Sequence, residues 1–269
     1  MTYKQLPLSI LCAVSLFACS CNRYYYKPNA VNTPLFTDGG QAHLNAAGSI
    51  GDGDGAGKTS FFDLQASYSP IKYLGIIGNY STYSFTPDNY DFASGGVAAK
   101  AHLLEAGIGG YYPVGDKKFK MVVEMYGGGG GGHINSDVNM DVTKLFLQPG
   151  IGVTSPWFDA AFNMRVANIH YSNLEDNGRG NNYLLDRDLI DANTGRRIDE
   201  GSYTFFEPSL TVRAGYKFAK AQFQSVFSNP ISTFPWRYNG ARFTVGFYFS
   251  LEGVIDAVRE NGSKGDKPE

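Results

Sequence analysis

Cysteine is nearly absent from this chain: its three copies, Cys12, Cys19 and Cys21, all fall within the first 21 residues. Whatever folds downstream has neither a disulfide framework nor a thiolate metal site. An excess of one charge is missing too. With 23 Lys and Arg against 25 Asp and Glu, the formal charge is -2, so no basic surface of the kind nucleic acid requires is available and that partner class is excluded. The apolar run from Leu6 to Ala18 is too short to span a bilayer as a helix. His43, His102 and His133 are scattered, with no partner at ligand spacing, so neither a metal nor a cofactor is expected. No internal repeat longer than a hairpin and no helical domain is visible.

What is abundant is glycine and aromatic residues, 33 Gly, 18 Tyr and 19 Phe. Glycine permits close contact between strands, and aromatics populate membrane interfaces. The clearest segment is Ala241 to Leu251. Phe243, Val245, Phe247, Phe249 and Leu251 alternate there with Arg242, Thr244, Gly246, Tyr248 and Ser250, and a period of two marks a strand whose faces meet different surroundings. The same alternation begins at His43 and recurs around Phe62, Leu74, Leu104, Phe119, Leu145, Phe158, Phe206 and Ala221. That makes about ten strands, an even number, in one domain over residues 41–251. Short connections at Ser69-Pro70, Pro113 to Lys118, Ser155-Pro156 and Ala219-Lys220 alternate with longer loops. Aromatics such as Tyr73, Tyr112, Trp157 and Tyr216 gather beside the short ones, as an interfacial girdle would.

Two architectures fit, a secreted β-sandwich and a closed antiparallel barrel. The polar face decides between them. Glu105, Glu124, Asp159, Arg165, Glu207 and Arg213 stand at equivalent depths of separate strands. Closing the sheet gathers them in one lumen where they can pair, whereas each left unpaired in a dry core would cost several kcal/mol. The fold expected is all-β: a closed, antiparallel, up-and-down transmembrane β-barrel.

The aromatic closing strand resembles the terminal strand of bacterial outer-membrane barrels, and residues 41–251 resemble the porin-like, opacity-type superfamily. Lys4 and the apolar run that follows have the layout of a signal peptide, residues 1–18. Leu16-Phe17-Ala18-Cys19 resembles the bacterial lipobox, which implies lipid attachment at Cys19, with Cys21 as the alternative and an ordinary signal peptide as the bland reading. Residues 19–40, with Tyr24, Tyr25, Tyr26, Pro28 and Pro34 and no sustained period, read as a disordered, lipidated tether. Residues 252–269 read as a polar periplasmic tail. If the short turns face the periplasm, both termini are expected there.

Several functions are open. In the first, lumen charges plug a narrow barrel, which serves the bacterial outer membrane as a structural or surface-interaction protein. Its partners are outer-membrane lipid and an extracellular ligand at the long loops. In the second, the lumen passes small solutes. In the third, His170-Tyr171-Ser172-Asn173 resembles the His-x-Ser-Asn motif of lipid A 3-O-deacylases. That resemblance makes His170 the base and Ser172 the nucleophile, with Asp186, Asp188 or Glu175 to orient the imidazole, since a serine hydroxyl needs an adjacent base to attack. Strand parity puts His170 and Ser172 on the lipid side. The glycine run Gly127 to Gly132 reads as a kinked strand end, or less well as a phosphate loop. Phe234, Trp236 and Tyr238 read as interface anchors.

Overall fold

A computed structural model describes residues 25–52, 57–87, 98–115, 118–216 and 218–252. The signal sequence, Cys19, Cys21 and the tail beyond residue 252 lie outside the described residues.

Period-two sequence becomes strand throughout. The strands are β1 (Ala42–Asp52), β2 (Gly57–Ile71), β3 (Leu74–Pro87), β4 (Ala99–Gly115), β5 (Lys120–Asn135), β6 (Asn139–Thr154), β7 (Phe158–Glu175), β8 (Ser202–Tyr216), β9 (Ala219–Phe227), the two-residue β10 (Asn229–Pro230) and β11 (Ala241–Ser250). Each of β1 to β8 pairs antiparallel with the next, β9 pairs with β11, and β11 pairs with β1 from Gly48 opposite Val245 to His43 opposite Ser250. Ten long strands therefore form a closed ring, while β10 only extends the pairing along β8. Closure leaves no free sheet edge and pairs the backbone within the ladder.

The ring has two ends. At one, β2–β3, β4–β5, β6–β7 and β8–β9 are joined by short turns. At the other lie the longer segments 176–201 and 228–240. The first turn falls at Lys72 and Tyr73 rather than at Ser69-Pro70, because Pro70, which has no N–H to give the ladder, is absorbed in an irregular stretch of pairing between Tyr68 and Ile71. Lys220, read from sequence as a turn residue, instead lies within β9 and is buried.

The faces are opposite in character. On β11, Phe243, Val245 and Phe247 are 50%, 65% and 64% exposed and point outward, while Arg242, Thr244 and Tyr248 are buried inside. Leu104, Ile108, Leu145, Leu147, Phe162 and Leu210 continue the outward apolar face on other strands.

The glycine run is not a strand end. It lies within β5, in regular register with β4 from Leu103↔Gly132 to Ile108↔Gly127. A Cβ at Gly128 or Gly130 would collide with the carbonyl of Ala106 or Leu104, so glycine is required there by strand approach.

The largest departure from expectation concerns residues 25–36. They are extended, but they do not form a linker outside the barrel. Tyr25, Tyr26, Asn29, Ala30, Val31, Asn32, Thr33, Leu35 and Phe36 are all buried. Tyr26 bridges Tyr238 in the 228–240 segment, and the Tyr25 N–H donates to the Arg237 carbonyl. Ten residues later Phe36 stacks on His43 at the start of β1. The chain thus runs down the inside of the ring from the long-loop end to the short-turn end. Residue 252 lies at the short-turn end, whereas Tyr25, the first described residue, lies at the opposite one.

Candidate functional site: the barrel lumen

Alternation points the odd residues of β2, β4 and β7 and the even residues of β5, β6, β9 and β11 inward. Many of those positions hold amides and charges, and they converge on the segment 25–36. Arg242 Nη1 donates to the Pro28 carbonyl at 3.1 Å, Arg165 Nη2 to Asn29 O at 2.9 Å and Gln65 Nε2 to Ala30 O at 3.1 Å. Gln224 Nε2 reaches Val31 O at 2.8 Å, Gln148 Nε2 reaches Asn32 O at 2.7 Å and Arg213 Nη2 reaches Thr33 O at 2.7 Å. The Tyr248 hydroxyl donates to Pro34 O at 3.5 Å. Carbonyls are obligatory acceptors when buried, and this run of seven is satisfied by side chains where a neighbouring strand would ordinarily serve.

The N–H groups are met in the same way. Val31 N–H donates to Gln224 Oε1 at 2.8 Å, so one amide takes both backbone groups of one residue. Leu35 N–H donates to Glu124 at 3.1 Å and Ala30 N–H to Asp63 at 3.4 Å. Leu35 has a φ of 53°, a conformation uncommon for a branched side chain. It packs with Phe36, Tyr111, Val122 and Ala161 as a small apolar floor. Gly75 makes room there: a Cβ would come within 3.1 Å of the Phe36 ring and 2.8 Å of the Tyr126 hydroxyl.

Side chains of the segment knit the lumen charges together. Asn29 donates to Glu105 and accepts from Lys144 Nζ at 2.6 Å, and the Tyr26 hydroxyl donates to Glu207. Arg165 Nε pairs with Glu207 at 2.6 Å, and Lys144 lies 3.3 Å from Glu105 and 3.9 Å from Glu207. Lower down, Asp159 takes Lys220 at 2.6 Å, with Arg213 at 3.8 Å; beside the upper group, Arg242 pairs with Asp63. The six residues singled out from sequence, Glu105, Glu124, Asp159, Arg165, Glu207 and Arg213, are therefore all buried inside. They fall in two groups, Glu105, Arg165 and Glu207 nearer the long loops, and Glu124, Asp159 and Arg213 nearer the short turns.

Asp63, Lys144, Lys220 and Arg242 belong to the same network, and Gln65, Gln148 and Gln224 do its backbone recognition. Sequence reasoning set Arg242 on the polar face of the closing strand and Lys220 at a turn, and singled out none of the seven as lumen groups. For Lys144 and Gln148 the signal was parity, since both share a face with Phe146 once β6 is extended toward its start.

At the long-loop end a second cluster covers the lumen. Trp236 is buried, stacks on Phe234 at 4.1 Å and meets Tyr203 edge-on at 4.9 Å, while Tyr26 stacks on Phe205 at 4.4 Å. Phe234, Trp236 and Tyr238 therefore fold inward against Tyr171, Tyr203 and Phe205 and are not anchors in an outer interface; an indole and a phenol that can bury their rings against other aromatics gain more than at a wet boundary. The helix α1 (Gly180–Asp186) adds Leu184, and a 3₁₀ turn adds Ile198. Asp137 ties the layer together, accepting from Tyr25 Oη at 3.2 Å and Tyr183 Oη at 2.9 Å. In the exposed loop beside it, hydrogen bonds from the Gly178 and Gly180 N–H groups hold the Asp176 carboxyl below its ordinary range.

His170 and Ser172 lie on the outward face of β7 near the long-loop end. His170 Nδ1 faces the Gly201 carbonyl at 2.9 Å, and in register His170 is opposite Thr143 while Ser172 is opposite Asp141. Asp141 is engaged by His133 at 2.7 Å and by Asn173 at 2.7 Å. Among the described residues no hydrogen bond joins His170 to Ser172, and none joins Asp186, Asp188 or Glu175 to the His170 ring. A base must come within about 2.6–3.2 Å of the proton it takes. Among the described residues no three His, Cys, Asp or Glu side chains gather as metal ligands would.

No known family and no curated protein matches this chain. Among solved structures it is similar to the beta domain of the Bordetella autotransporter BrkA, at 12% identity over 79% of this chain and 99% of that one, with a TM-score of 0.37. It is also similar to the outer membrane protease OmpT from Escherichia coli, at 11% identity over 78% of this chain and 94% of that one, with a TM-score of 0.29.

Proposed function

We propose that the protein is an outer-membrane barrel with a closed lumen, serving a structural or surface-interaction role through its long-loop end. The observation that carries this reading is the contrast between the two sides of one sheet. Its outer face exposes a belt of large apolar side chains that water would not tolerate on this scale, while ion pairs and the segment 25–36 occupy its inside. A solute channel gains no support from a lumen crossed end to end by the chain itself. The deacylase reading gains none from an imidazole turned to a backbone carbonyl.

Lipid attachment at Cys19 completes the reading and changes its geometry. Cys19 precedes Tyr25 by six residues, about 20 Å of extended chain at most, and Tyr25 adjoins the long loops. Acyl chains at Cys19 would therefore enter the leaflet nearest those loops rather than the one beside the short turns.

The test is reconstitution. The full chain, extracted with detergent and inserted in planar bilayers, is expected to partition with lipid and to show no stepwise conductance. Partition into the aqueous phase, or steady ion flow, would reject the proposal.

A further inference from the structure

The way residues 25–36 are held points beyond a mere stopper. Between Pro28 and Pro34 every carbonyl is taken by a lumen side chain, and Gln224 reads both backbone groups of Val31. Backbone groups are common to all residues, so recognition of this kind is tolerant of sequence, as in the addition of an extended peptide to a sheet edge. Side-chain demands fall on five residues: the Tyr25 and Tyr26 hydroxyls donate to Asp137 and Glu207, Asn29 fits between Glu105 and Lys144, Asn32 donates to the Ala66 and Gly78 carbonyls, and Thr33 accepts from Asn163. Ala30 and Val31 are held through their backbone groups. The segment also lies outside the barrel's own ladder: its one β-bridge is Tyr26 to Tyr238, and it is joined to β1 through an exposed turn at Asp38, Gly39 and Gly40.

We propose that the lumen is a receptor for an extended polypeptide read through its main chain, and that residues 25–36 are the resident ligand. An extended segment of another protein, rich in small and polar residues, can take their place. This rests on the closed-lumen reading and adds exchange to it. Released from the segment, the inner amides and charges would be met by water, leaving a polar channel that a second peptide can enter in the same direction, from the long-loop end.

The experiment, run on the chain carrying Cys19→Ser and Cys21→Ser so that no acyl anchor retains the freed segment, cuts the tie and leaves the contacts. A protease site inserted between Asp38 and Gly39 lets the whole chain fold before it is nicked, so that the segment is then held by non-covalent bonds alone. Intact protein is expected to stay closed in planar bilayers. Nicked protein, after washing, should conduct, and a fluorescent synthetic peptide of residues 25–38 should bind it and close it again. A peptide carrying Val31→Ala should bind within about tenfold of the parent, because its backbone bonds remain. A peptide N-methylated at Val31, which cannot donate to Gln224, should bind at least tenfold more weakly, a loss of about 1.4 kcal/mol.

A nicked barrel that neither releases nor exchanges its segment overturns the proposal while leaving a closed barrel standing. Conductance by the intact chain overturns the closed-lumen reading itself. N-methyl and parent peptides binding equally would overturn recognition through the backbone. Should the insertion prevent folding, the chain lacking residues 25–36 is refolded with the peptide supplied separately; failure to form a barrel that retains the peptide also counts against the proposal.

Discussion

Two stretches of this chain are extended over similar lengths, and they are satisfied by opposite means. Strand β11 is bonded on both sides by backbone, to β1 and β9, so its side chains are free to divide between lipid-facing aromatics and an inward polar row. The segment 25–36 has almost no backbone partner and takes its bonds from amides, guanidinium groups and carboxylates. The difference teaches where specificity resides. The ladder asks β11 for alternation and for glycine at 246, where a Cβ would meet the Ala46 carbonyl, whereas the segment is placed by particular side chains on many different strands, Arg242 and Tyr248 of β11 among them.

That contrast can be broken most severely from the lumen side. Arg165→Ala removes the nearest cation from Glu207, leaving Lys144 at 3.9 Å, and the donor to Asn29 O at once; removing one partner of a buried pair costs about 3–5 kcal/mol. The loss should appear as a lower urea midpoint for unfolding of the reconstituted barrel. On the other side, Phe247→Arg places a cation on the lipid-facing row. It should cost about 2–4 kcal/mol near the midplane of a bilayer, measured the same way, while Phe249→Arg, closer to the strand end, should cost less. Equal losses at the two positions would argue against a membrane boundary running across β11.

Asn29→Ala sharpens the comparison at smaller scale. It strands Glu105 and Lys144 without their shared amide, at about 1–3 kcal/mol, and should leave the β11 ladder intact by strand content in circular dichroism. The smallest effect is expected at the short-turn end, where Glu252 accepts from the Ala42 N–H and faces His43 Nε2 at 3.1 Å. Partial burial works against ionisation there, but the bond and charge of His43 prevail and hold the carboxyl down to about 2. A depressed carboxyl stabilises the fold fully above its unfolded value near 4.5 and progressively less as pH falls toward 2. Glu252→Gln should flatten that acid limb in urea midpoints measured across pH: stability falls modestly at neutral pH, where the ionised carboxylate no longer contributes, and is almost unchanged near pH 2.

Sequence made the strands legible because one period governs both faces: Phe243 and Arg242 could be assigned to opposite sides without knowing any neighbour. It also brought out inward charges that the ring gathers, such as Glu105 and Arg213. The segment 25–36 was illegible for a physical reason. Its partners are up to 214 residues away in the chain, as for Pro28 with Arg242, and no local period records bonds of that kind. Two tyrosines and two prolines then look like a linker. The indirect signs were an inner face with more glutamine than ion pairing needs, at Gln65, Gln148 and Gln224, and glycine at Gly75, where an inner wall gives way to Phe36. At β7, parity could place His170 and Ser172 on one face, but it cannot say that the ring turns to Gly201.

The route of the chain through the ring also sets how it bears load. A pull on the chain ahead of Tyr25 would act along the axis of the cylinder, so the bonds from Pro28 to Pro34 would resist together in shear instead of parting one after another. Any tension that overcame them would pass around the turn at Gly40 into β1, which is clasped on both flanks by β2 and β11. A tether attached at that end is thus secured by the seam of the barrel itself.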